Sequence, residues 1–357
     1  MQLARSTGRE VRRIPPGTLA VLLCALPVAL ACTGTEPSDP APQMPDLVYV
    51  EHDPATWIWS LHAYSEGEGS REIAPGPSAL PRPYNDLLRV RPTTGELLYS
   101  STDSSGNDQH YVLLNPATGE FRRLALPGEV QDWSPSGDLL TTYSGGDHLI
   151  VNLEGAIRMT ICGSSDDCGV PEWEAGSDAV IVFRRPDGGH ADLWRVPLTG
   201  EAEVNLTQSP ATDEIGPSYS PTGQHFAYLR EHVELVLVNA DGTGARQLMS
   251  RVGIGKFPWS PDGLSVAVDA TLEGHTGLVV VPLQGAPHRV TSPGETLYIP
   301  SHIGWFPDGS RLLYSAFDGA ANDNVGLYVI NLDGSGRRKV NRPGTDAYAA
   351  AWIPDVP

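Results

Sequence analysis

The chain has 357 residues, 40% of them apolar, which is enough for a sizeable core in one large domain or two ordinary ones. Its 24 basic and 43 acidic residues give a net charge of −19. A surface this negative repels phosphate backbones and anionic lipid headgroups, which argues against nucleic-acid binding and against membrane binding by charge. Basic proteins, cations and neutral ligands remain as partners.

The first 31 residues have the layout of a secretory signal peptide. Four arginines precede an apolar segment over residues 19–30, which is too short to span a bilayer and is interrupted by Pro27. Removal of this head takes away those arginines and Glu10. The mature chain would then have 20 basic and 42 acidic residues and a net charge of −22.

The sequence Ala-Leu-Ala-Cys at residues 29–32 resembles a bacterial lipobox, in which the cysteine is acylated and becomes the new N-terminus. That family usually has leucine three residues before the cysteine, where this chain has Ala29, so plain secretion with Cys32 following the cut is the alternative. Residues 32–45 are predicted to be a tether, since four prolines and no apolar periodicity favour an extended chain of up to about 40 Å. The resemblance implies an exported lipoprotein that faces the periplasm or the cell exterior and meets the membrane only through its lipid.

Residues 46–357 repeat one phrase, an aromatic residue, a Ser-Pro-Asp-Gly-like turn and an apolar run. FPWSPDGLSVAV at 257–268 is the clearest copy. Successive copies are 40 to 47 residues apart, a period typical of β-propeller blades. The first position of each copy is occupied by Val90, Trp133, Trp173, Tyr219, Trp259, Trp305 and Trp352.

Each copy predicts a four-stranded antiparallel blade. Proline presets φ for the turn, aspartate caps it and glycine accepts positive φ, so the phrase forms the corner between a first and a second strand. A third apolar run such as GLYVINL at 326–332 and a polar edge such as GRRKV complete the unit. The in-phase aromatic residues are expected to be core, because blades pack face to face on large side chains.

The two ends of the chain are predicted to share one blade. Residues 46–84 supply a second, third and fourth strand without the opening aromatic, and the missing first strand is found in AAAWIPD around Trp352. Pairing of the ends would close a ring of seven blades. Six is the alternative, because the copy over 87–130 is the most degraded.

WSPDG followed by an apolar strand, a Y/L-x-V strand, a D-G-x-G turn and a polar edge resembles the repeat of TolB-type propellers. The resemblance covers nearly all of residues 46–357 and implies an all-β propeller. TolB itself has an additional N-terminal α/β domain, for which this chain has no room, and it is usually described with six blades. The resemblance therefore extends to the propeller module alone, and it does not imply the translocation partners of TolB for this chain.

Two cysteines remain in the propeller, Cys162 and Cys168, around the residues GSSDD. In an oxidising compartment this spacing favours a disulfide that closes a short loop. A metal or redox pair is the alternative. Five intervening residues are not the two of a redox motif, and no histidine lies near in sequence.

No hydrolase motif accompanies the blades, so an enzyme is not the favoured interpretation. An acidic residue stands six positions before the aromatic in three blades, at Asp167, Asp213 and Asp346. These positions surround one mouth of the central channel, where together with Glu214 they could form a negative rim for a cation or a basic peptide. The favoured alternative is that each aspartate caps its own turn. His302, just before the first strand of its blade, is expected nearest the channel.

The sequence thus predicts a non-catalytic envelope lipoprotein that binds a protein or peptide, with no cofactor expected. Some polysaccharide lyases with a similar repeat hold a divalent metal at the ring axis. A lyase-type or lactonase-type enzyme with Asp213, Glu214, His302 and Asp346 around calcium or another divalent cation is therefore the second hypothesis. A passive envelope protein without a single ligand is the third.

Overall fold

A computed structural model describes residues 47–73, 83–102, 109–163, 167–176, 178–186, 189–209, 211–255, 257–293, 295, 297, 303–318 and 324–353. Cys32, the signal peptide, the tether and His302 lie outside these ranges. The described residues form seven antiparallel sheets arranged as the blades of a ring. Within them, no helix has the length and apolar character needed to cross a membrane.

The first three blades contain β1 to β11. Blade 1 is composite and has the strand order β28-β1-β2-β3, whereas blades 2 and 3 follow chain order. Their strands are β1 Leu47–Asp53, β2 Ile58–Ser65, β3 Gly69–Glu72, β4 Pro83–Val90, β5 Leu97–Thr102, β6 Gln109–Leu114, β7 Phe121–Leu124, β8 Glu129–Trp133, β9 Leu139–Ser144, β10 Asp147–Asn152 and β11 Ile157–Cys162.

The remaining blades contain β12 to β27: blade 4 has β12 to β16, blade 5 has β17 to β20, blade 6 has β21 to β23 and blade 7 has β24 to β27, while β28 belongs to blade 1. Blade 4 begins with two short pieces, β12 and β13, that both pair with β14. The strands are β12 Asp167–Cys168, β13 Glu172–Trp173, β14 Ala179–Arg185, β15 Asp192–Pro197, β16 Val204–Asn205, β17 Glu214–Tyr219, β18 His225–Arg230, β19 Glu234–Asn239, β20 Arg246–Ser250, β21 Ser265–Leu272, β22 His275–Pro282, β23 His288–Arg289, β24 Ile303–Trp305, β25 Arg311–Asp318, β26 Asn324–Asn331, β27 Arg338–Lys339 and β28 Asp346–Trp352.

The predicted ring closure is confirmed. Strand β28 pairs antiparallel with β1, with Leu47 opposite Trp352 and His52 opposite Asp346. The ends of the chain therefore complete one sheet, and the seven-blade prediction is correct.

Blade 6 has the weakest first strand. Here β21, β22 and β23 form the sheet, and the first strand is reduced to two isolated bridges, Val252 to Ala270 and Trp259 to Val266. Pro258 has no backbone N–H to donate, and the preceding glycines pack little, which weakens the ladder there.

The repeated turn has the predicted geometry. In blade 6 the side chain of Asp262 accepts the backbone N–H of Leu264 at 2.9 Å and the hydroxyl of Ser260 at 2.6 Å. Gly263 adopts φ of 71°, a region that favours glycine. Because the strands of each blade are antiparallel, these turns all lie on one face of the ring, which we name the turn side. The opposite face, where each blade connects to the next, is the connection side.

The core lies between neighbouring blades. Trp133, Trp173, Trp259 and Trp305 are 4 to 8% exposed, as expected for aromatics that fill the space between sheets. Trp352 is partly buried and packs on Phe306, with ring centroids 4.0 Å apart. The aromatic positions of the repeat thus hold adjacent blades together.

The predicted disulfide between Cys162 and Cys168 is present, with the two Cα atoms 6.4 Å apart. It links β11, the outer strand of blade 3, to β12 at the start of blade 4. The bridge therefore restrains one inter-blade connection and brings Asp167 to the connection side.

Candidate functional site

On the connection side, two of the sequence-predicted acids meet one arginine. The guanidinium of Arg185, in β14, donates to Asp167 at 2.6 Å and to Asp213 at 3.0 Å. The Asp167 side chain is 57% exposed, so this part of the cluster faces solvent. Arg185 compensates both carboxylates, which weakens any attraction the pair has for a cation.

Asp213 also reaches the preceding blade. One of its carboxylate oxygens accepts the backbone N–H of Ala191 at 2.8 Å, just before β15. This hydrogen bond is the main reason that the pKa of Asp213 lies below its ordinary value, and Arg185 lowers the pKa further. Two half-exposed imidazoles lie on either side, with His190 Nδ1 at 3.5 Å and His232 Nε2 at 3.6 Å from the carboxylate oxygens.

Asp346 occupies the equivalent position in blade 1. Its carboxylate accepts the backbone N–H of Val325 at 2.7 Å, in the third strand of blade 7, and lies 3.6 Å from His52 Nδ1. Asp213 and Asp346 therefore each cap the neighbouring blade, whereas capping of their own turns was the favoured expectation. The sequence could not reveal this contact, because the bonded partners are about twenty residues away.

Glu214, next to Asp213, is 2% exposed. Its Oε1 accepts the hydroxyl of Thr212 at 2.6 Å, while Oε2 has no hydrogen-bond partner. Burial raises the pKa of Glu214, and the charge of Asp192 in blade 4 adds to the effect. This carboxyl is therefore enclosed under the connection side and does not join the exposed cluster of Asp167, Arg185 and Asp213.

The predicted channel-mouth set is thus divided. Asp167 and Asp213 come together through Arg185, whereas Asp346 lies with His52 in blade 1 and Glu214 is enclosed. Among the described residues, no group of three or more histidine, cysteine, aspartate or glutamate side chains is arranged to hold a metal ion.

A cavity of about 390 Å³ opens on the turn side. Four successive blades contribute to it, and four neighbouring blades of a ring meet only around the axis, so the cavity lies at the turn-side mouth of the channel. Its lining is aromatic, proline-rich and acidic, and comprises Pro92, Asp132, Trp133, Pro135, Glu172, Trp173, Ala175, Tyr219, Ser220 and Pro221.

The charged side chains next to this turn-side cavity are held by hydrogen bonds and ion pairs. The phenol of Tyr219 donates to Glu174 at 3.1 Å, and Glu174 is held by Arg195 at 2.6 Å. Burial and the Glu174 charge raise the pKa of Tyr219, so the phenol stays protonated and keeps its donor. Arg91 lies 5.6 Å from the ring of Trp133, and its charge is paired with Glu96.

This cavity is not among the sites predicted from the sequence, although the sequence contains a signal for it. The residue directly before the aromatic is acidic only in blades 3 and 4, at Asp132 and Glu172. The same aromatic positions are predicted to be core, which the burial of Trp133 and Trp173 confirms. Only the ring geometry shows that part of this core also lines an open cavity.

No protein-family model matches this sequence, and no curated protein matches it either. Solved structures do match. The β-propeller domain of the Trilobed protease from Pyrococcus furiosus is 11% identical with a TM-score of 0.58, and the match covers 84% of this chain and 93% of that one. An oligogalacturonate lyase in complex with manganese is 18% identical with a TM-score of 0.56, over 84% and 85% of the two chains.

TolB from Acinetobacter baumannii also matches, with 18% identity and a TM-score of 0.49, over 87% of this chain. The match covers 66% of that TolB, so this chain spans just under two thirds of its length. The chain has the β-propeller fold. At these identities the likeness to binding proteins and to enzymes concerns the fold alone.

Proposed function

We propose that this protein is an exported, non-catalytic binding module that recognises a basic segment of an envelope protein or peptide. The observation that carries the proposal is the turn-side cavity, where Trp133, Trp173 and Tyr219 stand beside Asp132 and Glu172. Aromatic faces attract ammonium and guanidinium groups, and carboxylates accept their hydrogen bonds. An aromatic and acidic cavity therefore suits a lysine or arginine side chain.

The charge of the whole chain supports the same class of ligand. With 43 acidic against 24 basic residues, the surface potential attracts cationic partners and accelerates their encounter. A cavity of about 390 Å³ is of a size for one or two long side chains, within the range of small-ligand sites. The proposed ligand is thus a short basic segment rather than a folded domain.

The test measures binding of tetra-arginine by intrinsic fluorescence, because Trp133 and Trp173 line the cavity. The double variant Asp132→Asn with Glu172→Gln is expected to weaken binding at least ten-fold, at about one kcal/mol per lost carboxylate contact. The matched control is Asp241→Asn with Asp333→Asn, which removes the same charge from exposed turns. Equal losses in both variants would show that only the overall charge matters and would refute a site at the cavity.

We also propose that the protein is anchored through a lipid on Cys32 and faces the periplasm or the cell exterior. The lipobox-like sequence supports this proposal. Metabolic labelling with a fatty acid, with Cys32→Ser as the control, tests it. Release of an unlabelled protein into the soluble fraction would instead indicate plain secretion.

A metal-dependent enzyme is the second candidate, since the structurally similar oligogalacturonate lyase is in complex with manganese. Manganese or calcium would then raise the melting temperature, and replacing Asp213 and Asp346 by alanine would abolish the rise. An unchanged melting temperature at millimolar metal contradicts this candidate.

A further inference from the structure

The turn-side rim contains a repeated hydrogen bond from a tryptophan to the preceding blade. The indole N–H of Trp259 donates to the backbone carbonyl of Ser218 at 3.0 Å, and that of Trp305 donates to Pro258 at 3.0 Å. In both cases the acceptor is the residue directly before the aromatic position of the previous blade. These bonds join blades 5, 6 and 7 around the channel.

The equivalent hydrogen bond to the preceding blade is missing at the two tryptophans beside the cavity. The indole nitrogens of Trp133 and Trp173 are buried and have no hydrogen-bond partner, although the two side chains are only 4% and 6% exposed. Both tryptophans line the cavity. Trp352 in blade 1 also has a free indole N–H, but it packs on Phe306 and is not part of the cavity lining.

A buried donor without an acceptor is unfavourable, because it has lost its water without gaining another partner. In blades 6 and 7 the backbone carbonyl of the neighbouring blade is the acceptor. In blades 3 and 4 no such carbonyl bonds to the indole, and two buried donors are left on residues that line a cavity large enough for a ligand. A ligand that supplies carbonyl oxygens would complete the interrupted pattern.

We infer that the turn-side cavity binds an extended peptide whose backbone carbonyl oxygens accept the indole N–H groups of Trp133 and Trp173. This inference rests on the proposed function, in which a basic side chain of the same segment meets Asp132 and Glu172. The tryptophans thereby distinguish a peptide from a simple cation of equal charge. Since both nitrogens are covered in the free ring, the peptide must displace the rim side chains as it enters.

A peptide fits the combination of indole donors and acidic side chains better than the other ligands that aromatic cavities bind. A neutral sugar offers hydroxyl oxygens to the indoles and can donate to the carboxylates, but it carries no positive charge for the acidic surface to attract. A polyamine gains from the acidic surface but has no acceptor for the indoles. Only a basic peptide has both the cationic side chains and the carbonyl oxygens.

The experiment follows the eight indole N–H resonances of the ¹⁵N-labelled full chain, assigned by single Trp→Phe variants. Tetra-arginine is compared with spermine, which carries similar charge without carbonyl groups. The expected result is a downfield shift of the Trp133 and Trp173 resonances with the peptide and not with spermine. The resonances of Trp259 and Trp305, already bonded within the ring, should stay in place.

Affinities of the Trp→Phe variants give a second measurement. Trp173→Phe keeps an aromatic ring and removes the donor, so it should weaken tetra-arginine binding about five-fold and leave spermine binding unchanged. Trp305→Phe is the matched control and should leave both unchanged. Failure of tetra-arginine to bind at all refutes the proposed function. If tetra-arginine binds but the Trp133 and Trp173 resonances do not shift, only the proposed contact with the peptide backbone is overturned. If a neutral oligosaccharide shifts these two resonances, the cavity is a sugar-binding site.

Discussion

The ring is closed by an ion pair between a buried glutamate and a half-exposed arginine, and its removal gives a quantitative prediction. The side chain of Glu51 in β1 is fully buried, and Arg342, just before β28, donates to it from Nε at 2.5 Å and from its backbone N–H at 3.1 Å. His62 lies 3.5 Å away on the other side. Replacing Arg342 by leucine would leave a carboxylate without its main cation in the one sheet that joins the two ends of the chain.

The cost has an upper limit. Removing one partner of a fully buried pair costs about 3 to 5 kcal/mol, and this range is reduced here because the Arg342 side chain is 55% exposed and solvent screens part of its charge. We therefore expect Arg342→Leu to lower the free energy of unfolding by about 2 kcal/mol. The additional change Glu51→Gln should restore most of it, because the buried charge is then gone.

Urea unfolding at pH 7, followed by circular dichroism, measures this difference. Arg338→Leu is the control, since its partner Glu66 is 53% exposed and such surface pairs contribute less than about 1 kcal/mol. If Arg342→Leu loses no more stability than Arg338→Leu, the closure does not depend on compensation of the buried Glu51 carboxylate and the reasoning is wrong.

Three further predictions concern single groups. Burial lowers the pKa of His148, so the folded state resists its protonation, and stability should fall as pH drops below 6.5; His148→Asn should flatten this part of the pH profile of urea midpoints. Burial raises the pKa of Glu214, so its ionisation costs stability as pH rises above 4.5; Glu214→Gln should be the more stable form at pH 7 in the same assay, and a less stable variant would contradict this. Replacing Cys162 and Cys168 by serine should cost about 2 kcal/mol, measured against the oxidised protein, and no loss would show that the loop is already held by other contacts.

The features that could be predicted from the sequence are those determined by residues within a single repeat. The Ser-Pro-Asp-Gly turn, the aromatic before it and the apolar third strand recur in phase, so the blades and the composite closure at Trp352 follow from local pattern alone. The disulfide follows from the spacing of Cys162 and Cys168.

The features that it missed depend on contacts between blades. Asp213 bonds Ala191 and Asp346 bonds Val325 across a blade boundary, where spacing gives no indication of the partner. At the turn-side cavity, the indoles of Trp133 and Trp173 lack the backbone carbonyl that Trp259 has as its acceptor. Such a difference between repeats lies in backbone placement, because the donor is a tryptophan in all of these repeats.

Closure by β28 also sets an order of events during synthesis. The inner edge of β1 finds its partner only after some 290 further residues have been made. At the usual rate of protein synthesis this takes roughly 15 to 60 s, during which an apolar strand edge is open to other chains. A product that stops before β28 would thus contain most of the ring and still be prone to aggregate, because β28 is the strand that covers the edge of β1.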